Sequence, residues 1–292
     1  PPTIDLEVRG AEPKPEMLTG DANVTLRRMA YRGIAAESVT AKLQFAEHKL
    51  TIHPLHVRRT EGEGSGTVIL DFARDEVRLE NVETTLHPQE VILWIDPKLQ
   101  KDIAPYRFGR RPPAVTLNGV VHTRGGDTTK LNVDVRAPGG LTYTFLRKDL
   151  HLPRVTATLH FIGSRLQIAD FDGSIWGGRL RGDANISLKR ENPHNEVSLN
   201  LANVDFASLT RLYFNYDDSQ GKLNANYKFT INGDDARGMG GRGALTVTQG
   251  RVCAIPFLGP LSEILNSIVP GMGKDVARRA RASFTARRGV FD

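Results

Sequence analysis

Apolar and polar residues alternate with a period of two through most of this chain, and this pattern limits the fold more than any other feature. In residues 223–231 every second residue is apolar, and the residues between them are asparagine, lysine or threonine. Residues 155–161 and 131–135 have the same alternation. Successive side chains of a strand point to opposite faces, so each segment predicts a strand with one apolar face. We therefore expect a mainly β protein with an antiparallel sheet.

The chain also contains an internal repeat, since residues 39–66 align without a gap on residues 155–182. The alignment matches the apolar stripe and two pairs of glycines. Each copy predicts three strands joined by turns, and such repeats favour an elongated, curled, groove-like sheet with a few short helices. We expect the apolar side chains of both copies to point into one continuous interior. The residues expected to line this groove are Leu43, Phe45, Leu50, Ile52, Leu159, Phe161, Leu166, Ile168, Leu223, Tyr227, Phe229 and Ile231.

The segment between the two copies is not strand-like. Pro88 followed by closely spaced apolar residues predicts a helix over about 88–104, and Pro112-Pro113 closes the segment. We therefore expect an N-terminal β module (1–88), a helical and proline-rich linker (89–114) and a C-terminal β module (115–292). A further turn is expected near 205–213.

Charge and composition narrow the possible partners. The net charge is +6, and the basic residues are scattered except for "ARRARASFTARR" (277–288). Only 7% of the residues are aromatic, so we interpret these residues as a solvated basic face rather than a nucleic-acid platform. The longest apolar runs are too short to span a membrane. Because the chain starts at Pro1 and ends within a strand-like pattern, we expect it to be a fragment of a longer protein.

Residues that could carry catalysis or bind a metal do not form a recognisable motif. His53 and His56 are close in sequence, but they lie in a strand-like stretch without a third ligand. Paired aspartates at 217–218 and 234–235 stand in turn contexts, where Asp is common. We therefore expect neither enzymatic activity nor a cofactor.

One segment departs from the strand pattern near the C-terminus. After Pro256 the apolar residues follow helical spacing, and Pro270-Gly271 ends the segment. A stripe of six large apolar side chains would expose a patch that soluble surfaces rarely tolerate. We expect this helix to lie across the apolar face as a lid or end cap. Its six apolar residues are Phe257, Leu258, Leu261, Ile264, Leu265 and Ile268.

The last third of the chain resembles the C-terminal region of the AsmA-like proteins of bacterial envelopes. That family's pattern is a G-x-G-x-L-x-V strand, a glycine turn, an I-P-x-L-G motif, a hydrophobic helix and a strand with a single phenylalanine. The matching residues here are Gly241, Gly243, Leu245, Val247, Gly250, Ile255, Pro256, Leu258, Gly259, Phe284 and Gly289. "LANVDFASLTRLYF" (201–214) is similar to the segment that precedes this pattern in the family.

The resemblance implies a role in lipid handling at the cell envelope. Proteins of the AsmA-like family are usually anchored in the inner membrane and project into the periplasm. Several of them are regarded as lipid-transfer bridges towards the outer membrane. An apolar β-groove that binds the acyl chains of phospholipid or another lipid is the function that this implies. The alternative is a structural or assembly module that docks envelope protein partners, and the sequence leaves both open. Membrane association is expected through parts outside this chain.

Overall fold

The structure is a computed structural model that describes residues 3–9, 19–95, 97–123, 128–145, 147–189, 191, 193–217, 219–233, 238–249, 279–287 and 290–291. It confirms the mainly β, antiparallel fold with a few short helices. The strands are β1 (Thr3–Arg9), β2 (Thr19–Tyr31), β3 (Ile34–Ala46), β4 (Lys49–Arg59), β5 (Gly62–Asp71), β6 (Glu76–Thr84), β7 (Tyr106–Phe108), β8 (Ala114–His122), β9 (Lys130–Ala137), β10 (Leu141–Phe145), β11 (Lys148–Leu152), β12 (Val155–Ile162), β13 (Arg165–Ile175), β14 (Gly178–Ser187), β15 (His194–Asp205), β16 (Lys222–Asn232), β17 (Met239–Thr248), β18 (Arg279–Arg287) and β19 (Val290–Phe291). The helices are α1 (Pro88–Ile95), α2 (Gln100–Ile103) and α3 (Phe206–Phe214), and Pro97–Leu99 forms a 3-10 turn.

The chain divides into two compact units, Pro1–Tyr143 with Thr158–Ser164, and Thr144–Ala157 with Arg165–Asp292. In the first unit the sheet order is β1-β2-β3-β4-β5-β6-β8-β9-β12, and in the second it is β13-β14-β15-β16-β17-β18-β19. The helical segment 89–114 lies within the first unit, where β6 pairs with β8 across it. The three modules expected from the sequence stay a prediction.

The sequence repeat has a structural counterpart in strand pairing. In the first copy Leu55 lies opposite Gly66, and the register shifts between Ile52 and Leu55. In the second copy the aligned Phe171 lies opposite Gly182, and the register shifts at the aligned position. Two segments with unrelated turn residues thus form the same bulge and the same contact with a glycine. A shared bulge indicates one structural plan for both copies.

This plan extends beyond the aligned residues. The register shifts between Leu79 and Val82 where β6 meets β8, and between Leu201 and Val204 where β15 meets β16. At both bulges an asparagine has a positive φ, and its backbone N–H donates to an asparagine side chain of the next strand. The two pairs are Asn81 with Asn118 (2.7 Å) and Asn203 with Asn224 (3.0 Å).

Helix α1 follows β6 and helix α3 follows the equivalent strand β15, but the two helices contact different residues. The helix predicted over 88–104 is present as α1 and α2. Trp94 of α1 donates from its indole N–H to the carbonyl of Tyr31 (3.2 Å), and the Arg59 guanidinium lies 5.5 Å from the Trp94 ring centroid. The further turn expected near 205–213 is present as the nine-residue helix α3. The predicted helix at 257–268 lies outside the described residues.

Candidate functional site

One face of the sheet in the second unit is apolar from β13 to β18, because the alternating residues of neighbouring strands coincide in register. We call this side the apolar face and the opposite side the polar face. Two successive rows of the apolar face are Val204–Leu223–Val247 and Leu180–Leu201–Ala225–Leu245–Ala282. The first row is at most 3% exposed, so it forms the core of this unit.

Helix α3 covers this buried end of the apolar face. The Asp205 carboxylate accepts a hydrogen bond from the Ser208 backbone N–H (2.9 Å), which caps the helix start. Phe206, in the first turn, is 7% exposed and packs into the cluster that contains Val204 and Leu223. Thr210 is fully buried, and its hydroxyl is hydrogen-bonded to that of Ser219. The end of the face beneath α3 is therefore closed.

The next row away from α3, which we call the aromatic row, contains four large side chains and two glycines. Its members, in register, are Phe171, Gly182, Leu199, Tyr227, Gly243 and Phe284. The rings of Tyr227 and Phe284 lie with centroids 5.4 Å apart. They flank Gly243, where an added Cβ would lie 2.5 Å from Phe284 Cζ and 2.7 Å from Tyr227 Cδ1. Burial raises the pKa of the Tyr227 phenol, in agreement with an apolar environment.

A further row continues the apolar face beyond the aromatic pair. It consists of Ile168, Ala184, Val197, Phe229, Gly241 and Ala286. Ala184 and Ala286 are buried, whereas Ile168, Val197 and Phe229 are only half-buried. The apolar face thus changes along the strands from a fully buried core beneath α3 to large apolar side chains that are partly open to solvent.

A concavity of about 1190 Å³ also lies across β13–β18. Most of its lining residues belong to the polar face, in the two rows that flank the row of Tyr227, among them Asp172, Arg181, Lys228 and Arg242. Arg179 donates through Nε to both carboxylate oxygens of Asp172 (2.9 and 2.8 Å), and Arg181 donates to one of them (3.3 Å). These hydrogen bonds, first of all that from Arg179, lower the pKa of the Asp172 carboxyl.

The structure places the residues predicted to line a groove as follows. In the first unit, Leu43 lies opposite Ile52 and Phe45 opposite Leu50, and all four are half-buried. Leu159 and Phe161 of β12 and Leu166 of β13 are also half-buried. Ile168, Leu223, Tyr227, Phe229 and Ile231 belong to the apolar face of the second unit, with Leu223 in the buried core. That both copies line one interior stays a prediction.

Sequence reasoning missed several residues of this site. Phe171 and Leu199 belong to the aromatic row but were not among the residues predicted to line a groove, and Phe284 was named only for its match to the AsmA-like pattern. Register between strands brings them beside Tyr227. The helical signal of α3 was present in the sequence, where Asp205 precedes a stretch with apolar residues at helical spacing.

The residues considered for catalysis or metal binding have ordinary partners. His53 Nδ1 lies 2.6 Å from Thr67 Oγ1, and Asp217 accepts a hydrogen bond from Arg211 Nε (2.7 Å). Asp218, Asp234 and Asp235 lie outside the described residues. Within the described ranges there is no group of three His, Cys, Asp or Glu residues that could hold a metal ion. The helices of the described part are too short or too polar to cross a membrane.

A comparison of the chain with protein-family models found no match, and comparisons with curated proteins and with solved structures found none either. The mainly β, antiparallel class therefore rests on the structure itself, and the function is argued from the site.

Proposed function

We propose that the apolar face of the second unit binds lipid acyl chains without chemical catalysis, and that the protein serves phospholipid transport between the inner and outer membranes of a bacterial envelope. The proposal rests on the way in which burial of the apolar side chains decreases along this face. The face continues from the closed core at Val204 to half-buried large side chains at Tyr227 and Phe229.

The physical argument concerns the cost of moving an acyl chain through water. Each exposed CH₂ group costs about 0.8 kcal/mol, so a surface that covers the chain lowers the barrier to transfer without any reaction. Partly open apolar side chains next to a rigid core provide such a surface, and no metal or cofactor is required. The resemblance of residues 241–289 to AsmA-like proteins supports the envelope, with the parent protein anchored in the inner membrane and this part in the periplasm.

Native mass spectrometry of the purified chain tests the binding proposal. We expect adducts with the masses of phospholipids, and fewer adducts in the Phe229→Gln variant, because a polar group on the apolar face is a poor neighbour for an acyl chain. Asn226→Ser is the matched control, since Asn226 is exposed on the polar face of the same strand. Thermal melting establishes that both variants are folded.

The second function left open by the sequence, a docking module for envelope proteins, makes a different prediction in the same experiment. A purified chain free of lipid, which fails to take up phospholipid from mixed micelles while it retains its fold, would contradict acyl-chain binding and favour the docking module. Equal lipid adducts in wild type and Phe229→Gln would show that the lipid binds elsewhere.

A further inference from the structure

Strands β16, β17 and β18 together contain six basic residues and not a single Asp or Glu. Five of the basic residues are exposed on the polar face, and the sixth, Lys222, lies opposite Asp205. We call these five residues the basic face: Lys228, Arg242, Arg279, Arg281 and Arg287. The basic face combines residues from two segments that are far apart in sequence. For this reason only the residues of β18 form a basic run in the sequence itself.

The neighbouring strands of the same face are different in charge. On β13 and β14, Asp172 pairs with both Arg179 and Arg181, so one carboxylate offsets part of the charge of these two arginines. Asp183 and Glu196 add negative charge on β14 and β15. The positive charge of the polar face is therefore concentrated on β16–β18.

Lys228 lies directly opposite Arg242 in the register of β16 and β17. Like charges directly opposite one another destabilise a strand pair. Among the described residues neither side chain forms an ion pair, and both line the concavity of the second unit. An anion placed between them would remove the repulsion, so this pair points to an anionic partner.

We infer that the basic face binds the surface of a bilayer that contains anionic phospholipid. β18 places its basic residues over nine positions, or about 27 Å, and three strands span about 10 Å. An area of this size matches several headgroups rather than one free phosphate. Surface potential acts on every cation within a Debye length, so five exposed cations attract such a bilayer together.

The arrangement of aromatic residues argues against nucleic acid as the partner. Proteins that bind single strands stack bases on aromatic rings beside their cations. Here the rings of Tyr227 and Phe284 belong to the opposite, apolar face of the same strands. The basic face offers charge without a stacking platform. This inference stands independently of acyl-chain binding, because it concerns the other side of the sheet.

Vesicle co-sedimentation tests the inference, with vesicles of phosphatidylcholine alone and of phosphatidylcholine mixed with phosphatidylglycerol. We expect the chain to bind only the anionic vesicles and to dissociate as salt is raised. Each surface cation contributes about fivefold to affinity, so the double variant Lys228→Gln/Arg242→Gln should bind about 25-fold more weakly. The control, Arg179→Gln/Arg181→Gln, removes the same charge outside the basic face, where Asp172, Asp183 and Glu196 already offset it, and should weaken binding much less than the first double variant.

Four outcomes would overturn the inference. The first is no binding of the wild-type chain to anionic vesicles at low salt. The second is an equal loss in the two double variants, which would show a response to net charge alone. The third is tighter binding to a single-stranded oligonucleotide than to the anionic vesicles. Binding to both vesicle types with equal affinity would also contradict the basic face, while leaving acyl-chain binding intact. Thermal melting confirms that each variant is folded, and removal of the Lys228–Arg242 repulsion should not destabilise it.

Discussion

The rings of Tyr227 and Phe284 meet across Gly243, with 5.4 Å between their centroids. A glycine between two strands that both carry an aromatic residue leaves room for the two rings to approach each other. This contact joins β16 to β18 through the side-chain layer, in addition to the hydrogen bonds that each strand forms with β17. It lies between the buried row of Val204 and the row that contains the half-buried Phe229.

Gly243→Ala is expected to destabilise the second unit by about 1–3 kcal/mol, because the new Cβ overlaps both rings and forces them apart. Urea denaturation measures the change. The matched control is Gly240→Ala in the same strand, where the nearest atoms to an added Cβ are 3.6 Å away. The control should be neutral or slightly stabilising, since alanine lowers the entropy of the unfolded chain. Equal effects of the two substitutions would refute the packing argument.

Asn224→Ala is expected to lower the free energy of unfolding by about 1 kcal/mol, because it removes the acceptor for the Asn203 N–H at the β15–β16 bulge. The equivalent substitution in the first unit, Asn118→Ala, should have an effect of similar size at Asn81. Asn226→Ala is the control in the same strand as Asn224. If the bulge bonds are dispensable, all three variants will unfold at the same urea concentration.

Asp172→Asn tests the pH dependence of stability. The pKa of Asp172 is lowered in the folded state, chiefly by the hydrogen bond from Arg179. A lowered folded-state pKa gives stability that is present above the unfolded-state pKa, about 3.9, and lost as pH falls through the folded-state pKa. The wild type should therefore melt slightly higher than Asp172→Asn at neutral pH, and the difference should vanish in acid.

The effect at Asp172 should be small, because the Arg179 side chain is half exposed and solvent screens the ion pair. Asp183→Asn is the control, since Asp183 makes no ion pair with any described residue. A difference between wild type and Asp172→Asn that grows as the pH is lowered would contradict the sign of this account.

The sequence was sufficient to predict the strands, the repeat and the helical segment after β6. Period-two alternation is local information, and Leu223 to Ile231 carries enough of it to define β16 and its apolar side. The rows of residues across neighbouring strands depend on the register between the strands, which each bulge shifts by one residue. Phe171 reaches the row of Tyr227 only because the β13–β14 register shifts after Ile168, and the basic face likewise needs Lys228 and Arg242 to meet in register.

Signals for the extended repeat were nevertheless present. Asn81-Val82 and Asn203-Val204 are identical dipeptides at equivalent bulges, and Leu117-Asn118 and Leu223-Asn224 provide their partners. The gap-free alignment of residues 39–66 with residues 155–182 does not include these dipeptides, because the distance in sequence between successive strands differs after the third strand of each copy. A comparison by bulge position rather than by constant offset would have found them.

Photo-crosslinking from single positions of β16 tests the central claim most directly. A photoreactive phenylalanine analogue is placed at Tyr227 or Phe229 on the apolar face, or at Asn226 or Thr230 on the polar face. The chain is then irradiated in mixed micelles with phosphatidylcholine, whose headgroup has no net charge and is not expected to bind the basic face. Acyl-chain binding predicts lipid adducts at the first two positions and few at the other two. Lipid adducts that are equal at all four positions, or confined to Asn226 and Thr230, would contradict an acyl-chain site on the apolar face.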